Sequence, residues 1–264
     1  MTRDETIAEA LGCEVVGTQQ LPGGDLGGAA AIELADGRTI VAKTGPLVQR
    51  EGDMLRAIAR TGAPCPAVLF VADNLLIMDH IKADGRPGWP SLAEGLANLH
   101  APGDVLYGWD ADYAFGKVAI GNRRSDNWPQ FWAEQRILPF CAHVDAGLAT
   151  RLELLGQRLP EMLPERPPAA LLHGDLWSGN VLFHGGSLAA LIDPACYHGD
   201  REVDFAMLAW LGNPPASLFE ASDLAPGWRE RYPVYVLWPM LVHLRLFGGG
   251  YRNAVDNALG RCGC

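Results

Sequence analysis

The chain has 264 residues, 48% of them hydrophobic and 20% charged, globular proportions with enough length for one large domain or two lobes that each bury a core. A formal net charge of -10 excludes a general affinity for nucleic acid or anionic membrane surfaces, since both need basic patches, and leaves a small molecule as the expected partner. The start, MTRDETIAEALGCEV, lacks the basic end and apolar run of a secretory signal, and no stretch reaches the ~18 uncharged apolar residues of a membrane span, so the expected compartment is the cytoplasm.

A short helix ending near Leu11 is followed by β-like runs at 14–20, 29–34 and 38–43, separated by the glycine-rich PGGDLGG and the turn Asp36-Gly37. That pattern predicts a small antiparallel sheet with a glycine loop. A helix over 47–59 comes next, then strands at 68–72 and 75–79. From Ser91 onward helical patterns dominate: SLAEGLANLH, WPQFWAEQRILPF, LATRLELLGQRL, VDFAMLAWLG and the last helices near 232–247. The expected fold is therefore α+β and two-lobed, with residues 1–80 as a small antiparallel-sheet N-lobe carrying one helix and 81–264 as a larger, mainly helical C-lobe. Cysteines at 13, 65, 141, 196, 262 and 264 have no CxxC spacing, so they are expected to be reduced and structural, with Cys262-Gly263-Cys264 as a frayed tail.

Chemistry concentrates in two places. In the first lobe, Lys43 closes the β-branched run Thr39-Ile-Val-Ala-Lys. Downstream, Leu47, Glu51, Met54, Leu55 and Ile58 share one helical face, so Glu51 occupies an otherwise apolar position and needs a cation. Lys43 is the expected partner, and Asp53, on the opposite face, is expected to be solvated. Gly23 and Gly24 lie between the first two strands, where backbone amides can cover phosphates. No GxxxxGK[ST] occurs, which excludes a P-loop. Asp79-His80-Ile81 is the expected crossing between lobes, with backbone groups available to adenine.

The stronger signal is His173-Gly-Asp175-Leu-Trp-Ser-Gly-Asn180, then Val181-Leu-Phe, a turn at 184–187, and the run Leu188 to Asp193. Two apolar runs about a glycine turn predict a β-hairpin whose open end brings Asn180 and Asp193 together beside Asp175. Like charges about 4 Å apart repel by roughly 4 kcal/mol at an effective dielectric of 20, so the set calls for a cation, and a hard, oxygen-loving ion such as Mg2+ fits. The Asp-x-x-x-x-Asn spacing with a second Asp beyond a hairpin matches the protein-kinase pattern, in which Asp175 accepts the hydroxyl proton while Asn180 and Asp193 hold Mg2+ near ATP. A hydrolase-type His-x-Asp metal site is the alternative, and His184 and His198 do not stand at ligand spacing to complete it.

These residues resemble the aminoglycoside phosphotransferase and protein-kinase-like superfamily, and within it the fructosamine (ketosamine) kinases. The likeness is carried by HGDLWSGN with Trp177, by LIDPACYHGDREVDFAML, and by the glycine loop with Lys43 and Glu51. It extends to LAEGLANLH, the Trp128–Leu138 helix and LVHLRLFGGGY, and so covers nearly the whole chain. The resemblance implies a protein-kinase-like fold and ATP-dependent transfer of a γ-phosphate to a sugar hydroxyl, usually the 3-hydroxyl of a small-molecule or protein-bound ketosamine. The unstable product then releases the amine. It also implies that Trp177 touches the substrate and that His173, Arg201 and Asp204 brace the catalytic loop.

Three departures stand out: Ile120 two residues before Asn122 where many members have glutamine, Asp25 where some carry a redox-active loop cysteine, and His198 where an aromatic residue is common. The other readings are a kinase for aminoglycosides, choline or homoserine, and a nucleotide-binding pseudokinase. Intact Lys43, Asp175, Asn180 and Asp193 weigh against the last.

Overall fold

The computed structural model describes residues 2–21 and 28–264. Helix α1 (Arg3–Leu11) opens on a capping box, in which the Thr2 hydroxyl accepts from the Glu5 amide and the Glu5 carboxylate accepts from the Thr2 amide, satisfying two orphan donors at once. Strands β1 (Val15–Gln20), β2 (Gly28–Leu34) and β3 (Thr39–Thr44) follow, then helix α2 (Val48–Thr61) and strands β4 (Val68–Ala72) and β5 (Leu75–Asp79). The five strands form one antiparallel sheet in the order β1-β2-β3-β5-β4. This is the small lobe that the alternating runs predict.

Its two faces are sorted by the two-residue period of a strand. Ile40 and Ala42 of β3 pack with Ile32, Ile77 and Ile7 of α1. Val41 points to the other face and packs with Val48 and Leu55 of α2. Lys43 shares that second face by alternation, so the strand itself aims its ammonium at α2. The remaining flank of α2 presents Met54, Ala57 and Ile58 to Leu92, Leu96, Leu176 and Phe183 of the large lobe. A truncation such as Met54→Ala there would cost about 2–5 kcal/mol.

The large lobe continues with α3 (Trp89–Leu99), the short strands β6 (Tyr113–Phe115) and β7 (Val118–Ile120), α4 (Trp128–Trp132) and α5 (Ala146–Met162). After these come β8 (Ala169–Leu172), β9 (Val181–His184), β10 (Ser187–Leu191), β11 (Tyr197–Asp200), α6 (Glu202–Leu211), α7 (Ala216–Ala221), α8 (Trp228–Phe247) and α9 (Arg252–Arg261). Its core is aromatic, with Trp128, Phe131, Trp132, Tyr197 and Tyr235 all buried.

The structure departs from expectation in three places. The segment read as one helix from Trp128 is broken: α4 gives way to a π turn at Ala133–Ile137 and a 3-10 turn at Leu138–His143. Pro139 has no amide hydrogen to continue the ladder, and the wider turn directs Arg136 inward, where its guanidinium donates to Gly121 O and Asn122 Oδ1. Second, the β6–β7 hairpin and the β8–β11 pair were not expected. Third, the Cys262–Cys264 tail is not frayed. Cys262 is buried, and Arg158 and Arg151 of α5 donate to the carbonyls of Cys262, Gly263 and Cys264, cations gathering on a helix C-terminus.

Candidate active site

The β9–β10 hairpin turns on Gly185 and Gly186, both at positive φ, and its register pairs Leu191 with Val181. One step further out, the Ile192 amide donates to Asn180 O at 3.0 Å, so Asn180 and Asp193 flank the open end. Asp193 itself takes φ of 55°, a left-handed conformation that Asp tolerates better than most residues and that costs free energy held by its surroundings.

Ahead of the hairpin, the loop 173–175 is held from below by one buried carboxylate. Asp204, in the first turn of α6, accepts from the His173 amide at 2.8 Å and the Gly174 amide at 2.9 Å, and from His100 Nε2 at 2.9 Å. Burial pushes the Asp204 carboxyl up, but these hydrogen bonds outweigh it and hold the group below the usual carboxylate range. Gly174 has φ of 77°, and a Cβ there would meet Ala195 O at 2.1 Å, so no other residue fits. The His173 ring is buried; its Nε2 donates to Ile192 O at 2.9 Å while Nδ1 accepts from the Asp175 amide at 3.3 Å. Burial keeps this imidazole neutral by lowering its pKa, and the ring ties the catalytic loop to the strand end that carries Asp193.

Asp175 sits above these braces. Its Oδ2 and its carbonyl both accept from Asn180 Nδ2, at 3.0 and 2.8 Å. Burial raises the carboxyl to about 7, with Asn180 only partly offsetting that rise, so the group can exchange a proton near neutrality. Across the cavity, Lys43 Nζ lies 2.6 Å from Glu51 Oε1 and 2.5 Å from Asp193 Oδ1. Burial alone would lower the Lys43 pKa, yet the two carboxylates raise it, so the ammonium stays charged.

Lys43, Glu51, Asp175, Trp177, Asn180 and Asp193 line one cavity of about 750 Å³. Trp177 is 38% exposed and its indole lies over Gly179, where a Cβ would come within 2.3 Å of the ring. His173 and Asp204 lie beneath the cavity as supports. Gly23, Gly24 and Asp25 lie outside the described residues. Asp79, the last residue of β5, donates its amide to Ala67 O, and Asp79, His80 and Ile81 do not line this cavity. The Arg201 guanidinium donates to the Asp223 carbonyl beyond α6 and makes no hydrogen bond, among the described residues, to the loop 173–175, which Asp204 holds instead. Asp53 is exposed and pairs with Arg56.

Several positions that line the cavity or brace its floor carry no motif. His100 is the partner of Asp204 from 104 residues away, and its one advance signal is a histidine closing an apolar helical face. Tyr113 and Phe115 reach the cavity from β6, and Met207, Trp238, His243 and Phe247 from α6 and α8. No described helix is long and apolar enough to cross a membrane.

A profile of the fructosamine kinase family matches residues 4–262. A Synechocystis protein described as a probable ketoamine kinase is 35% identical over 182 residues, 66% of this chain and 62% of that relative. The Escherichia coli protein YniA, described in the same words, is 32% identical over 97% of this chain and 96% of its own. A crystal structure from Thermobifida fusca, described as that of a putative fructosamine-3-kinase, superposes with a TM-score of 0.89 at 30% identity and 98% coverage of each chain.

Proposed function

The chain belongs to the fructosamine kinase family, and on that premise we propose that it transfers the γ-phosphoryl group of ATP to a ketosamine of the fructosamine or ribulosamine type, at the 3-hydroxyl. The observation that carries the proposal is the gathering of Lys43, Asp175, Asn180 and Asp193 in one cavity with no charged side chain, among the described residues, on its far wall. Aminoglycosides are polycations and would call for carboxylates there. In the reaction, the sugar oxygen forms a bond to the γ-phosphorus, the bond from that phosphorus to the ADP oxygen breaks, and the hydroxyl proton passes to Asp175.

Lys43 has three donors, two of them occupied by Glu51 and Asp193, and its third is available to an ATP phosphate. Asn180 directs its Nδ2 to Asp175, which leaves Oδ1 without a hydrogen-bond partner among the described residues. That amide oxygen and the Asp193 carboxylate are the hard donors that Mg2+ takes, so Asn180 and Asp193 would hold it. When bound, Mg2+ neutralises charge on the ATP phosphates.

In this reading residues 1–80 bind ATP, with Gly23 and Gly24 over the phosphates and the Asp79–Ile81 backbone toward adenine. Residues 81–264 supply catalysis and the acceptor site, with Trp177 against the sugar. His173 and Asp204 position Asp175. The acceptor is a small-molecule or protein-bound ketosamine, and the reaction belongs in the cytoplasm, where ATP is at hand. ADP release scored with ribuloselysine, fructoselysine, kanamycin, choline and homoserine tests the proposal: turnover is expected with the first two, and faster turnover with kanamycin or choline would replace it with another branch of the superfamily.

A further inference from the structure

The cavity has two chemically different ends that meet at Asp175. Its charged lining residues, among those described, are Lys43, Glu51, Asp175 and Asp193, all at the phosphate end. In-line transfer places the acceptor on the opposite side of the γ-phosphate from ADP, and the surface there comes from the catalytic loop, α6 and α8. It consists of Trp177, Met207, Trp238, Val242, Leu246 and Phe247, with His243 and Tyr251 as the polar side chains among them.

His243 brings no charge to this wall. Its Nδ1 donates to Pro239 O at 2.8 Å, and the ring is packed by Trp210, Tyr251 and Phe247 with centroids 5.0, 5.0 and 5.4 Å away. Burial lowers its pKa, which keeps the imidazole neutral at pH 7. Phe247 is 54% exposed, so the apolar lining runs out to the rim. A charged substituent laid on such a wall loses water without gaining a partner. An apolar one gains roughly 25 cal/mol for each Å² that it buries.

Resting on the ketosamine reading above, we infer that the preferred acceptor is a ketosamine whose amine carries an uncharged alkyl or aryl substituent, rather than the charged backbone of a free amino acid. The sugar would occupy the Asp175–Trp177 region, and the substituent would lie along Val242, Leu246 and Phe247.

The test compares kcat/KM for two adducts of the same ketose, one with benzylamine and one with the side chain of free lysine. Since a single methylene in an apolar pocket is worth about 10-fold or more, the benzylamine adduct is expected to be favoured by at least roughly 10-fold. Leu246→Asp and Phe247→Ala should each shrink that ratio while the KM for ATP holds. Equal values, or a preference for the lysine adduct, would overturn the inference and leave the ketosamine reading standing, as would a ratio unmoved by both substitutions. Turnover of neither adduct, with ATP still bound, would remove the ketosamine reading and the inference with it.

Discussion

The phosphate end of the cavity and its acceptor end are built by opposite means. At the phosphate end, three of the polar groups come from nineteen residues of chain, Asp175 to Asp193, and the Lys43–Glu51 pair comes from one strand and the helix after it. Every side chain there has a named partner at hydrogen-bond distance. At the acceptor end the lining comes from the loop carrying Trp177, α6 and α8, is neutral, and leaves Trp177 and Phe247 partly exposed. On the proposed function, the contrast teaches that the chemistry would be held by a short, over-determined network, while substrate choice would rest on a surface whose residues can change without disturbing it.

If that separation holds, substitutions at the phosphate end should alter turnover or stability without altering which acceptor is preferred. The largest effect is expected at Asp175. Positioned acid–base groups contribute roughly 100- to 10,000-fold, so Asp175→Asn should lower kcat by about that range. Asparagine keeps the shape of the side chain, and titration with a fluorescent ATP analogue should show unchanged binding. Near wild-type turnover would mean that water or another carboxylate takes the proton.

Next in size is Lys43→Met, which keeps the apolar stem but leaves Glu51 and Asp193 facing each other without a cation. Breaking a buried pair costs about 3–5 kcal/mol, to be read from urea unfolding, and ATP binding should weaken alongside. His100→Phe sharpens the comparison from beneath, because it removes one of the three donors to Asp204. An unmet hydrogen bond at a buried group costs about 1–3 kcal/mol. A fall in stability and in kcat with an unchanged acceptor KM is the expected outcome. The smallest effect should come from the other end: Trp177→Leu should raise the acceptor KM by roughly 2- to 10-fold, the worth of one aromatic contact, and leave the KM for ATP alone. A shift in ATP affinity there would show that the two ends are coupled.

The same contrast governs what was legible in the sequence. Asp175, Asn180 and Asp193 could be read because a hairpin has a fixed register, so spacing along the chain becomes distance in space. Lys43 and Glu51 could be read because strand and helix periods decide which face each residue takes. The five-strand sheet and most helices followed from the same periods. The strands β6 and β7, three residues each, are too short to show any period. The break after Trp132 depends on Pro139 and on a buried Arg136, a tertiary requirement that no local pattern announces. His100 and the α8 wall act through contacts made across more than a hundred residues or between separate helices, and the partner of Arg201, the Asp223 carbonyl, lies beyond α6, where no spacing from Asp204 could indicate it.

Phosphorus and carbon NMR of a single reaction mixture, with ATP, Mg2+ and a ribulosamine or fructosamine acceptor, would follow the transferred group itself. A ketosamine 3-kinase should produce a new phosphomonoester whose carbon coupling places it on the 3-hydroxyl, followed by its breakdown to inorganic phosphate and free amine. Inorganic phosphate forming from ATP with no phosphomonoester, or a phosphomonoester only when kanamycin replaces the ketosamine, would show that the chain is not a ketosamine kinase.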